Sequence, residues 1–90
     1  MANTKSAIKR LRSAGRRRRH NQIYRGRART AVKKARRLID ESRLEEAREA
    51  VRVAVSALDK AAQKGVVHKN NAARRKSRLI QQLNQIERAA

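Results

Sequence analysis

The chain is predicted to be all-α: an antiparallel three-helix bundle whose elongated, basic N-terminal helix extends beyond the bundle. Three observations predict this. There is no Pro and there are only 3 Gly in 90 residues, so little punctuates a helix. Apolar residues recur at helical spacing in three separate segments, and strand alternation is nowhere sustained. The connections between those segments are short, which makes successive helices antiparallel neighbours.

The first helix is expected from about residue 5 to 41. Its second half carries the stripe Tyr24, Ala28, Ala31 or Val32, Ala35, Leu38 and Ile39, whereas its first half offers only Ile8 and Leu11 before Arg16, Arg17, Arg18 and Arg19. Such a helix extends roughly 55 Å at about 1.5 Å per residue, longer than its partners can cover, so the basic half should project. Ser42 with Glu45 three residues later reads as a capping box. A second helix then runs from about 43 to 64, with Leu44, Ala47, Val51, Ala54, Val55, Leu58 and Ala61 or Ala62 on one stripe. Glu45, Glu46 and Glu49 lie near its start, where the helix dipole favours negative charge. Gly65 suits the position just past the helix end, and Val66 and Val67 form a short apolar link. A third helix is expected from about 68 to 87, with Ala72, Leu79, Leu83 and Ile86 as its core stripe and Ala73 and Ile80 beside it. No repeat or internal boundary is visible, so residues 1–90 read as one domain. The apolar inventory is 16 Ala, 6 Leu, 6 Val and 5 Ile. Alanines let helices approach closely but bury little area, so the core should be worth only about 3–5 kcal/mol.

Charge points to the partner. Lys and Arg number 26 against 7 Asp and Glu, a formal net charge of +19. The first 37 residues hold 15 of those cations and no acid. Like charges so gathered oppose compaction, so something polyanionic must complete the protein. Arg outnumbers Lys 18 to 8, and its planar fork reads phosphate in two parallel hydrogen bonds. Four consecutive arginines on a helix span about 400° and face every direction. No flat surface meets all four; a nucleic-acid groove or junction enclosing the helix does. The bland alternative is a solvated, disordered charge run, and such tails also bind nucleic acid. Six of the seven acids fall between Asp40 and Asp59, the region a polyanion should avoid.

Individual residues follow. Lys5, Lys9, Arg10, Arg12, Arg25, Arg27, Arg29, Lys33, Lys34, Arg36 and Arg37 continue the basic surface as phosphate contacts, which set affinity and position without reading sequence. Asn21, Gln22 and Thr30 either touch base edges or are ordinary exposed polar residues. Tyr24 is either a core residue on the stripe or a base-stacking platform. His68, Lys69 and Asn70 sit at a helix start, where N–H groups attract phosphate, and the alternative for His68 is a cap. Arg74, Arg75, Lys76, Ser77 and Arg78 make a second basic edge. Without Cys there is no disulfide, thiolate metal site or cysteine nucleophile. His20 and His68 are too isolated for a metal site or catalytic pair, so neither an enzyme nor a cofactor or metal is expected. No apolar run approaches the roughly 20 residues of a membrane span, and no apolar stretch follows Lys5 to make a secretory signal.

The opening MANTKSAIKR, the basic run ending at His20-Asn21, Arg29-Thr30 followed by Lys33-Lys34, and above all KGVVHKNNAARRKSRL from Lys64 to Leu79 resemble the bacterial-type ribosomal protein S20 family. The similarity spans the whole chain. It implies a three-helix bundle bound as a monomer to 16S ribosomal RNA in the small (30S) subunit of the cytoplasmic ribosome, bridging several RNA helices during assembly. No membrane or small-molecule partner is implied. Carried over by position, the implied RNA contacts are Lys5, Lys9 and Arg10, Arg16 to Asn21, Arg29, Lys33 and Lys34, His68 to Asn70, and Arg74 to Arg78. Gly26 departs from the pattern, at about 1 kcal/mol relative to Ala in a helix, and the Arg bias is stronger than the family's.

Two other readings compete. A histone-like DNA-binding protein shares the charge, but the chain lacks Pro- and Lys-rich repeats or a dimerisation surface. A mitochondrial transit peptide over residues 1–37 would need one clean apolar face, which Arg16–Arg19 denies it. Helical RNA, read through shape, phosphates and 2′-hydroxyls, suits a chain with many Arg and one aromatic residue. Free in solution, the segment from Lys5 to about Arg25 is expected to fray, and RNA to order it.

Overall fold

Helix α1 (Lys5–Asp40) starts on Thr4, whose hydroxyl accepts a hydrogen bond from the Ala7 N–H at 3.3 Å. This is a computed structural model, and it describes residues 4–89; the MAN that opens the family-like stretch lies outside them. Helix α2 spans Leu44–Gln63 and helix α3 Lys69–Ala89. There is no strand among the described residues, and the architecture is the expected three-helix bundle with a long first helix. α1 runs without a break through Gly26, where a side-chain carbon would meet nothing within 4 Å.

The α1–α2 turn corrects one expectation. Ser42 does not cap α2: it adopts φ 56°, the left-handed conformation, whereas an N-cap needs extended backbone. Its N–H donates to the Ile39 carbonyl at 3.0 Å, and the Arg43 N–H donates to the Leu38 carbonyl at 3.1 Å. These two bonds are the Schellman closure of α1. α2 begins one residue later on Arg43, which makes no side-chain cap. A non-Gly residue in this conformation costs about 1–2 kcal/mol. Ser42→Gly should therefore stabilise the bundle by about 1 kcal/mol and raise its melting temperature by roughly 4–8 °C. A lower melting temperature would mean that the Ser42 hydroxyl contributes more than its backbone strain costs.

The α2–α3 turn uses the same closure with the favoured residue. Gly65 sits at φ 72°, its N–H bonds the Ala62 carbonyl at 3.0 Å, and the Val66 N–H bonds the Ala61 carbonyl at 2.9 Å. Val66 is buried in the link.

The core is thin and rich in alanine. α1 contributes Ala28, Val32, Ala35, Leu38 and Ile39; α2 contributes Ala47, Ala50, Val51, Ala54, Leu58 and Ala61. From α3 only Ala72 and Leu79 are fully buried, while Leu83 and Ile86 pack on the edge and Ile80 stays 44% exposed. α1 and α2 share the largest interface, α2 and α3 the next, and α1 and α3 the smallest. Lys76–Asp59 at 2.6 Å and Arg48–Glu87 at 2.7 Å link α3 to α2 along its length. These exposed pairs orient α3 more than they stabilise it.

Among the described residues, nothing before Tyr24 joins the core. The molecule measures 64 × 21 × 15 Å with a radius of gyration of 17.8 Å, against about 12 Å for a compact chain of this length. The excess is the N-terminal half of α1, a helical arm of about five turns.

Candidate nucleic-acid interface

Among the described residues, ion pairs occupy Arg43, Arg48, Arg52 and Lys76. None of them uses a cation of α1. All 15 basic residues of that helix therefore face solvent without a carboxylate within bonding distance. Asp40 and Glu41 lie at its far end, and Glu45, Glu46 and Glu49 follow on the first turns of α2. Arm and acids thus occupy opposite ends of a rod, a strong dipole for orienting the molecule on a polyanion.

On the arm, Lys5, Lys9, Arg10, Arg12, Arg16, Arg17, Arg18, Arg19 and His20 are exposed and Asn21 is half-buried. The four consecutive arginines remain accessible because no helix packs there. Arg17, Arg18, Asn21, Gln22 and Arg25 border one shallow cleft on this surface.

The base of the arm is fastened to the bundle. Arg25 Nε donates to the Val66 carbonyl at 3.4 Å, joining positions 41 residues apart in sequence. That contact holds the start of α3 beside the arm. There His68 Nδ1 accepts from the Asn70 N–H at 3.1 Å, so His68 is a helix cap. Its Nε2–H remains free to donate, and Lys69 and Asn70 remain exposed. Tyr24 packs against the core edge. Its ring meets His20 edge-on at 4.9 Å, with Arg27 at 5.8 Å and Lys64 at 6.0 Å from its centroid. The ring is engaged by these neighbours while part of it lines the open side of the α1–α2 pair.

Helical phase places the remaining cations. Arg25 points toward the α2–α3 link, and Arg29, Lys33 and Arg36 lie within about 80° of it around α1 at about 100° per residue. On α3, Lys76 turns toward α2 to pair with Asp59. Arg75 and Arg78 lie about 100° and 160° away from it around α3, off the α2-facing side, and are exposed. Exposed cations therefore line α1 on the side of Arg25 and α3 on the side away from Asp59. Lys76 is half-buried and engaged, so it is not grouped with Arg75 and Arg78, while Arg74 and Ser77 face outward. The pKa of Arg52 is raised, first by the hydrogen bond its guanidinium donates to Glu49 at 2.8 Å and then by that carboxylate's charge. It stays charged at any working pH.

No helix among the described residues is long and apolar enough to cross a membrane. No cluster of three or more His, Cys, Asp or Glu among them could hold a metal ion.

Residues 2–84 match the family model described as ribosomal protein S20. A small ribosomal subunit protein bS20 from Thermomicrobium roseum is 52% identical over 89 residues, covering 99% of this chain and 90% of that protein. Its counterpart in Geobacillus kaustophilus is 51% identical over 87 residues, covering 97% and 98%. That of a Roseiflexus species is 58% identical over 79 residues, covering 88% and 86%.

Proposed function

The chain belongs to the ribosomal protein S20 family, and from that membership we propose that it binds 16S ribosomal RNA directly in the small ribosomal subunit and bridges several RNA helices. The family is structural, not enzymatic, and its place is the ribosome in the cytoplasm. The observation that carries the RNA reading is the set of 15 cations on α1 with no acidic partner among the described residues, half of the helix contributing nothing to the core.

The proposed contacts fall in two groups. Lys5, Lys9, Arg10, Arg12, Arg16 to Arg19, His20 and Asn21 form an arm that one RNA element surrounds. Arg25, Arg29, Lys33 and Lys34, with His68 to Asn70, Arg74, Arg75, Ser77 and Arg78, meet a second element along the bundle. Lys76 joins them only by exchanging Asp59 for phosphate. The arm's helix has only its own backbone bonds and the Thr4 cap to hold it, and repulsion opposes it. RNA phosphates remove that repulsion, so binding and ordering of the arm are coupled.

A competition measurement tests this reading. Full-length protein should prefer small-subunit ribosomal RNA over random duplex DNA by at least about 10²-fold at physiological salt. On the order of ten phosphate contacts should give a log–log salt slope of several units. Equal affinity for the two nucleic acids would favour a histone-like protein and end the ribosomal proposal.

A further inference from the structure

One apolar groove remains open on the side of the α1–α2 pair that α3 leaves uncovered. It has a volume of about 880 Å³ and is floored by Ile23, Thr30 and Ala31 of α1 with Val53, Ser56 and Ala57 of α2. Ile23 is 51% and Val53 52% exposed, and both lie outside the stripes that form the core. Gly26 also lines it, with free space where a side chain would be. Small residues along two facing helices let a third backbone approach at the usual 8–10 Å. The lining runs from Ile23 to Lys34, roughly 17 Å or three helical turns.

The rim decides the occupant. It is made of Arg27, Lys34 and Lys60 with Arg52, which already pairs with Glu49 at 2.8 Å, and no acidic residue lines the groove. Around α1 the groove lies about 120° from Arg29, Lys33 and Arg36, away from the cations on the side of Arg25. RNA offers phosphates, hydroxyls and base edges and would leave Ile23 and Val53 with little apolar surface to bury against. An amphipathic helix satisfies floor and rim together, its apolar residues at i, i+3 or i+4, and i+7 and its carboxylates flanking them. We propose that the α1–α2 groove docks an acidic amphipathic helix of a partner protein, seated opposite α3 to complete a four-helix arrangement. This surface shares Lys34 with the proposed RNA contacts, and its apolar floor belongs to neither group of them.

The test uses the full chain and two peptides of about 15 residues. One places Leu on a single helical stripe flanked by Glu; the other scrambles the same composition, so it reaches the basic arm by charge alone. The ordered peptide should bind at least about tenfold more tightly, with amide shift changes at Ile23, Thr30, Val53 and Ala57. Val53→Glu and, separately, Ser56→Glu should each abolish that preference while leaving scrambled-peptide binding and helicity by circular dichroism unchanged; both positions are exposed. Equal binding of the two peptides, or shift changes confined to the arm, would overturn the proposal. Protection of Ile23, Val53 and Ala57 by ribosomal RNA would also overturn it, by making the groove floor an RNA surface.

Discussion

Replacing Arg16, Arg17, Arg18 and Arg19 together by Ala should weaken binding to small-subunit RNA by about 10²–10³-fold at physiological salt and flatten the log–log salt slope by about 3–4 units. All four are exposed on a segment that contributes nothing to the core, so the bundle's melting temperature should not fall. Ala is at least as good a helix former as Arg, so the arm keeps its backbone preference. Removing four adjacent like charges also relieves repulsion. Whatever affinity is lost is therefore lost from contacts, not from the fold. A variant with Lys at all four positions separates charge from geometry: it should keep most of the salt slope but lose part of the affinity, because Lys lacks the two-pronged fork. An unchanged slope in the Ala variant would show that the arm lies off the RNA.

Much of this fold follows from periodicity, because the stripes of α1 and α2 are long and regular. Ala28, Val32, Ala35, Leu38 and Ile39 are spaced so that only a helix gathers them, and all five are buried. Ser42 shows where a local pattern misleads. Its spacing to Glu45 matches a capping box, but the same residue must first terminate α1. With no Gly in the link, Ser42 takes the left-handed position itself, and one residue cannot adopt both conformations. Ala50 is buried for a different reason: the α1–α2 interface is wider than a single stripe, so a flanking alanine is covered as well. Lys76 looks like its neighbours in sequence, yet one step of about 100° turns it from the side of Arg75 toward Asp59. Which of several adjacent cations is free depends on where an acid from another helix lands, and a linear sequence does not state that. The α1–α2 groove was hidden likewise, since Ile23 and Val53 lie off every stripe and become a surface only when two helices are set side by side.

Leu58→Ala should produce the opposite signature to the arginine substitution. Leu58 is 0% exposed and, with Leu79, is one of two large side chains buried almost completely. Truncating such a residue costs about 2–5 kcal/mol, against a total that a core of this size sets at about 3–5 kcal/mol. The free protein should melt roughly 10–40 °C lower or lose cooperative melting altogether. Alanine neighbours deepen the effect, because Ala47, Ala54 and Ala61 have no rotamers with which to fill the cavity. Leu58→Met, which conserves volume, should cost less than about 1.5 kcal/mol, separating cavity formation from a general intolerance of change. Saturating RNA should restore the helical signal, since any ligand that binds only the folded chain draws the equilibrium toward it. The price appears as a Kd raised by the inverse of the folded fraction, with the salt slope unchanged because the same phosphates are met. A slope that fell together with the affinity would instead mean that the bundle dictates which cations reach the RNA. In that case the arm and the core act as one body, and the substitutions at Arg16–Arg19 and Leu58 should prove non-additive in a double-mutant cycle.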